Sequence, residues 1–235
     1  MAATINEIIE DLKRKEKFGR IVRFTYRDDL PADNLLAEIE AVGRYRDPRF
    51  VIDDDNRFAY TNLAKWLVGD PTMECLHPDC KGVVIRGDLN KGIYLAGGTG
   101  TGKTWAMDII SHLALANGMK IRVFGRDEAF HIVPTKASTA VEKFTLNEDP
   151  LTQRVLCFND LGTEPREGVY MGNRLEVMRD YIEDRADSPW LMTCFTSNYP
   201  MTHEFIAERY GERAVSRLRQ MCNYLEMRGK DRRRV

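Results

Sequence analysis

One stretch in the middle of the chain reads Gly97-Gly98-Thr99-Gly100-Thr101-Gly102-Lys103-Thr104. Glycines let a backbone curl tightly and turn several N–H groups toward one point. A lysine and a hydroxyl residue directly behind them add a full positive charge and a hard oxygen. That set suits a polyphosphate: the amides cradle it, Lys103 reaches the β- and γ-phosphates, and Thr104 Oγ1 ligates Mg²⁺. The flanks agree. Residues 92–96, Gly-Ile-Tyr-Leu-Ala, read as a short buried strand. Residues 105–117 place Trp105, Ala106, Ile109, Ile110 and Leu113 at helical spacing. A helix opening at the loop adds positive potential for an anion. Nucleotide contacts are expected along the whole run from Gly97 to Trp105.

Three further groups have the right chemistry to work with such a loop. An apolar run at residues 155–158 ends in Asn159-Asp160. An acid there has the character of the Mg²⁺-orienting strand of such ATPases, where two acids are usual; a carboxylate that merely caps the next turn is the plainer alternative. Asparagine keeps an acceptor oxygen and loses the charge, so slow hydrolysis with intact nucleotide binding is expected. A second apolar run, residues 190–195, ends in Thr196-Ser197-Asn198. Asn198 lies where ligands of parallel sheets bind and suits orienting a water or sensing a γ-phosphate, although asparagine also ends strands as a turn former. Arg213 and Arg217 stand one helical turn apart on a shared face. Arginine offered to a neighbouring subunit's γ-phosphate is a known device; a salt-bridged surface is the other reading.

Strands and helices must alternate to hold these groups. The patterning predicts strands over 92–96, 121–124, 155–158, 190–195 and 224–227. It predicts helices over 105–117, 127–133, 173–187 and from Thr202, with a break at Gly211 and a continuation over 214–221. Pro134 is expected to stop the second helix, and the polar segment 135–150 shows no clear element. Alternation of this kind implies a parallel five-stranded sheet covered on both faces. Ahead of it, residues 4–16 form an amphipathic helix with Ile5, Ile8, Ile9 and Leu12 on one face. Phe18, Ile21, Val22, Phe24 and Tyr26 follow, then a helix from Pro31 carrying Leu35, Leu36, Ile39 and Val42. This region packs either on the main domain or on another protein. Residues 45–56, with acidic Asp53-Asp54-Asp55, read as a linker, and 58–68 as a helix ended by Gly69. Cys75 and Cys80 flank His77 at a spacing unlike a zinc knuckle, so a solvent-facing loop is expected.

With 43% apolar and 30% charged residues in a chain of 235, a sizeable core is expected. The net charge of −1 leaves nucleic-acid binding to local clusters. One such cluster is residues 209–235, nine Lys or Arg against three acids. No apolar run approaches the ~20 residues of a membrane helix. An odd cysteine count without an apolar N-terminal signal points to reduced thiols and a cytoplasmic protein.

Taken in order, residues 90–97, Asn159-Asp160-Leu161-Gly162-Thr163-Glu164, and 209–219 with Gly229-Lys230-Asp231-Arg232-Arg233 behind them resemble the AAA+ ATPases. More narrowly they resemble bacterial replicative-helicase loaders of the DnaC/DnaI type, with the transposition helper IstB as a relative. The resemblance covers about residues 50–235. It implies a three-layer P-loop NTPase fold without a C-terminal helical lid, ATP and Mg²⁺ as ligands, and ATP-dependent homo-oligomers. Lys103 and Thr104 take phosphate and metal roles, Asn159 the Mg²⁺-holding position where the family usually has Asp, and Asp160 the water-polarising acid. Asn198 falls on sensor 1 and Arg217 on the trans-acting finger, with Arg213 the near alternative. Residues 1–50 correspond to a partner-binding helical region and 51–235 to the ATPase domain. The implied function is loading a hexameric replicative helicase onto single-stranded DNA. An IstB-like DNA-binding transposition regulator is the alternative. A small-molecule kinase and a nucleotide-switched binding module without turnover are the remaining readings.

Overall fold

The computed structural model describes residues 4–14, 21–23, 29–146, 152–171 and 173–233. Phe18, Phe24, Tyr26, Arg234 and the end of the 135–150 segment lie outside the described residues, as do the side chains of Leu12 and Val22. In chain order the elements are α1 (Ile5–Arg14), β1 (Ile21–Arg23), α2 (Ala32–Arg46), α3 (Arg57–Val68), β2 (Glu74–Leu76), β3 (Val84–Arg86), β4 (Gly92–Gly97) and α4 (Lys103–Ala116). There follow β5 (Lys120–Val123), β6 (Arg126–Ala129), β7 (Ile132–Lys136), α5 (Ala137–Thr145), β8 (Val155–Leu161), β9 (Gly168–Tyr170) and β10 (Asn173–Leu175). The chain closes with α6 (Val177–Ala186), β11 (Met192–Ser197), α7 (Glu204–Met221) and β12 (Cys222–Met227).

The central sheet has the order β3-β2-β12-β4-β11-β8-β7. From β12 to β7 all neighbours are parallel, and β2 and β3 add an antiparallel hairpin on one side. The inner strands are buried on both faces, which is why β4, β8 and β11 read as near-continuous apolar runs. Two buried clusters flank the sheet. One joins Leu35 and Ile39 of α2, Leu63 and Trp66 of α3, and Ile109 and Ile110 of α4 to one face. The other joins Val141 of α5, Tyr181 of α6, and Ile206 and Leu218 of α7 to the opposite face. This is the three-layer α/β arrangement expected from the sequence.

The five parallel strands differ from expectation in one member. Residues 121–124 do not join the central sheet. Phe124 and Gly125 both have positive φ, 51° and 78°, and Val123 pairs with Arg126 across them. A two-residue turn with both φ positive matches strand twist and closes a tight hairpin. So β5 folds straight back on β6, and with β1 forms a separate antiparallel sheet. The helix expected over 127–133 does not form: those residues finish β6 and, after Phe130 and His131, begin β7. β7 takes the vacant parallel place beside β8, and Pro134 is accommodated there because β7 is the sheet's edge. Within the polar segment that showed no element, residues 135–136 close β7 and 137–145 form α5.

Smaller corrections follow from local contacts. Residues 173–175 pair with β9, so α6 starts at Val177 and not at Asn173. The helix after β11 is capped by His203, whose side chain accepts from Phe205 N, whereas Thr202 Oγ1 donates to Pro78 O. Gly211 does break that helix, at φ 84° and ψ 158°. Cys75 is buried in β2 rather than in a solvent-facing loop; Cys80 is exposed. Among the described residues no helix is long and apolar enough to cross a membrane.

Candidate nucleotide site

β4 delivers the glycine loop to the carboxyl edge of the sheet, and α4 begins at Lys103 behind Gly102. Within the loop Thr101 Oγ1 donates to Gly98 O at 2.9 Å. Lys103 is only 5% exposed. Its Nζ donates to Gly97 O at 2.8 Å, Gly98 O at 2.9 Å and Asn198 Oδ1 at 2.9 Å. Burial pulls the lysine down to about 8 from its ordinary 10.5; the Asp160 carboxylate opposes that fall and the Arg233 guanidinium adds to it. An ammonium held by carbonyls alone is a weakly satisfied cation, ready for anionic partners. Thr104, half-buried in the first turn of α4, stands beside it. Trp105 lies beneath Arg46, with the guanidinium 4.4 Å from the ring centre, and Arg46 also pairs with Asp108 at 3.2 Å. The end of α2 thus covers the start of α4.

Asn159 and Asp160 come to the same edge through a fault in the ladder. Phe195 faces Phe158 and Ser197 faces Leu161, so β8 carries one residue more than β11 over this stretch. Such a bulge bends a strand and re-aims side chains. Asp160 absorbs it with φ 61°, a left-handed conformation uncommon outside glycine. Thr196 holds both residues: its Oγ1 accepts from Asp160 N at 3.0 Å and donates to Asn159 Oδ1 at 3.2 Å. Strict alternation would have sent the two side chains to opposite faces. Asn159 keeps the face alternation gives it, its Oδ1 taking the thiol of Cys157 two residues back at 3.7 Å; the departure is at Asp160, whose charge acts on Lys103.

The arginines stand apart from this group. Arg217 pairs with Asp187 at 2.7 Å and donates to Gln220 at 2.8 Å. Arg213 pairs with Glu183 at 3.0 Å and is largely exposed. These partners lie on α6, its C-cap and α7, so within one chain neither arginine meets the loop. A cleft of about 490 Å³, lined among others by Arg179, Glu183, Arg209 and Arg213, opens beside the Gly211 break.

Several contributors escaped the sequence reading. Glu164 is buried, accepting from Gly162 N at 2.9 Å, from Arg209 Nε at 3.1 Å and from the Tyr210 hydroxyl. It ties the segment after Asp160 to the helix that carries Arg213 and Arg217. Thr196 was visible only as a neighbour of Asn198. The basic tail is less free than its composition suggests: Arg232 pairs with Asp53 at 2.8 Å and Arg233 with Asp231 at 3.1 Å. The acidic run is correspondingly an anchor rather than a plain linker. Among the described residues no cluster of three His, Cys, Asp or Glu can hold a metal ion. The oxygens of Thr104, Asn159 and Asp160 are nonetheless the donor type that Mg²⁺ prefers, and phosphates and waters complete such sites.

No protein-family model and no curated protein matches the chain. Solved structures do. A candidate primosome component from Streptococcus pyogenes serotype M3 overlays with a TM-score of 0.51 at 18% identity, covering 78% of this chain and 85% of that one. The DnaC helicase loader overlays with a TM-score of 0.49 at 16% identity, covering 77% of this chain and 94% of that one. AMPPCP-bound DnaA from Aquifex aeolicus gives 0.46 at 14% identity, covering 86% of this chain and 50% of that one. The overlay on the first of these shows a shared fold.

Proposed function

We propose that the chain is an ATP-binding AAA+ helicase loader that engages a hexameric replicative helicase and helps place it on single-stranded DNA, with slow ATP hydrolysis. The observation that carries the nucleotide part is the buried Lys103 ammonium, held by two loop carbonyls and Asn198, with the Asp160 charge near enough to act on it. Phosphate oxygens take over from those carbonyls as partners of Lys103. Thr104, Asn159 and Asp160 supply oxygens for Mg²⁺, which when bound neutralises phosphate charge. Asp160 holds the attacking water, and Asn198 reads the γ-phosphate through the same amide that touches Lys103. In a homo-oligomer Arg217, or Arg213, leaves its α6 partner for the neighbour's γ-phosphate.

The loader part is supported by the fold shared with a candidate primosome component and by the N-terminal helix. α1 presents Ile5, Ile8 and Ile9 to solvent, with Ile5 76% exposed. α2, in contrast, is committed to α3 and α4 through Leu35 and Ile39. An exposed apolar face on a short helix is suited to a partner's groove. Co-purification with the host's replicative helicase, with and without ATP, tests the reading. Recovery of the helicase that depends on ATP and on Ile5, Ile8 and Ile9 supports it. Recovery of a transposase in its place rejects it in favour of the IstB-like alternative.

A further inference from the structure

The acidic run and the last described residues meet at the phosphate loop. After β12 the backbone crosses the loop as a strap, residues 228–233. Arg228 N donates to Asp55 O at 2.9 Å where the strap begins. Arg232 N donates to Gly100 O at 3.0 Å, inside the loop itself. The Arg232 guanidinium grips Asp53 with both prongs, Nη1 to Oδ2 at 2.9 Å and Nη2 to Oδ1 at 2.8 Å. Arg233 folds back on Asp231, its backbone N and its Nε both 3.1 Å from Oδ1. The fit is close: a Cβ at Gly100 would stand 1.8 Å from Asp231 Oδ1. Gly100 has φ 80°, so the loop at this point needs glycine for its backbone and for its neighbour.

A planar fork on a carboxylate fixes direction as well as distance, which a single contact does not. The loop is therefore held from two sides. α4 continues its trailing end, and the strap fixes the middle through Gly100 O. Asp53 is the strap's external anchor, and it sits in the α2–α3 connection, outside every phosphate-binding motif.

We infer that Asp53 is a positioning residue for the nucleotide site: through Arg232 it clamps the strap onto Gly100 and holds the phosphate loop in its receiving shape. The inference rests on the nucleotide reading above. It assigns the Asp53–Arg232 pair a role in nucleotide affinity, not in binding DNA.

The test compares the parent with Asp53→Asn and with the charge-exchanged double variant Asp53→Arg/Arg232→Asp. Two quantities are read: the Kd for a fluorescent ATP, and amide hydrogen exchange over residues 98–104 in nucleotide-free protein. Asp53→Asn is expected to raise Kd about fivefold, the equivalent of ~1 kcal/mol, and to speed exchange in the loop. The double variant is expected to recover both. Arg232→Lys keeps the charge and loses the fork, and serves as the milder variant if Asp53→Asn melts early. Parental loop exchange in the single variants, an unchanged Kd, or a double variant no better than the single ones overturns the inference. If the parent binds no nucleotide, the nucleotide reading fails instead, and loop exchange alone then decides whether the clamp exists.

Discussion

Lys103 Nζ lies 2.9 Å from Asn198 Oδ1, joining the end of β11 to the first residue of α4 across 95 positions of sequence. Two polar side chains from separate motifs therefore share one point, and that point is partly buried. The consequences are electrostatic.

The pH dependence of nucleotide binding follows from Lys103. In the free protein it titrates at about 8. Phosphate raises that value by supplying anionic partners. Below pH 8 the lysine is charged with and without nucleotide, and affinity is flat. Above it, binding must take up a proton, so Kd rises with pH by up to about tenfold per unit. The free fold shows the opposite trend: the unfolded chain holds more protons between about pH 8 and 10.5, so this group's contribution to stability rises across that window. Titrations with ATP at pH 7, 8 and 9 check the first expectation, and a pH-independent Kd rejects it.

Asn198→Ala removes one of the three acceptors from the ammonium. The two carbonyls remain, so ATP still binds, within about threefold of the parent. Turnover is expected to fall more, by about tenfold or beyond, because the γ-phosphate loses its reader. Equal loss in Kd and kcat would show that Asn198 serves only to hold the lysine.

Asn159→Asp places a carboxylate beside that of Asp160, at a site only 4% exposed. The Thr196 hydroxyl still donates to it, but two carboxylates at one bulge repel. Without Mg²⁺ the variant is expected to lose about 1–3 kcal/mol of stability. With Mg²⁺ and ATP it is expected to regain that loss and to hydrolyse faster than the parent. Melting curves with and without Mg-ATP, beside ATPase rates, separate the cases. A variant that stays destabilised and slow in Mg-ATP sinks the metal role of position 159.

Arg217→Ala releases Asp187 at the C-cap of α6, a half-exposed pair worth little, about 0–1 kcal/mol. Fold and ATP affinity should survive. If the arginine acts in trans, hydrolysis falls to background, since such a group contributes about 10³-fold or more. Mixing with Lys103→Ala subunits should restore part of the rate, each chain supplying what the other lacks. An unchanged rate in Arg217→Ala alone moves the role to Arg213.

The phosphate loop was legible because its chemistry is contiguous. Gly97 to Thr104 carry the backbone freedom, the charge and the hydroxyl in sequence, and the buried strand before them and helix behind them show as local periodicity. β8 and β11 were legible for a related reason: strands buried on both faces must be apolar throughout, and each announces its polar end. What the tertiary structure decided depends on pairings between distant segments. Which strand flanks β8 was settled by a tight hairpin at Phe124-Gly125, whose positive φ values leave no trace in apolar patterning. The left-handed backbone at Asp160 goes with a register shift of β8 against β11 at Thr196, a property of two strands and not of either alone. The same holds for the strap. Asp53 and Arg232 are 179 positions apart, and composition shows them only as an acidic run and a basic tail. Only the folded chain brings those charges within hydrogen-bond distance, beside the loop that the local sequence had already marked.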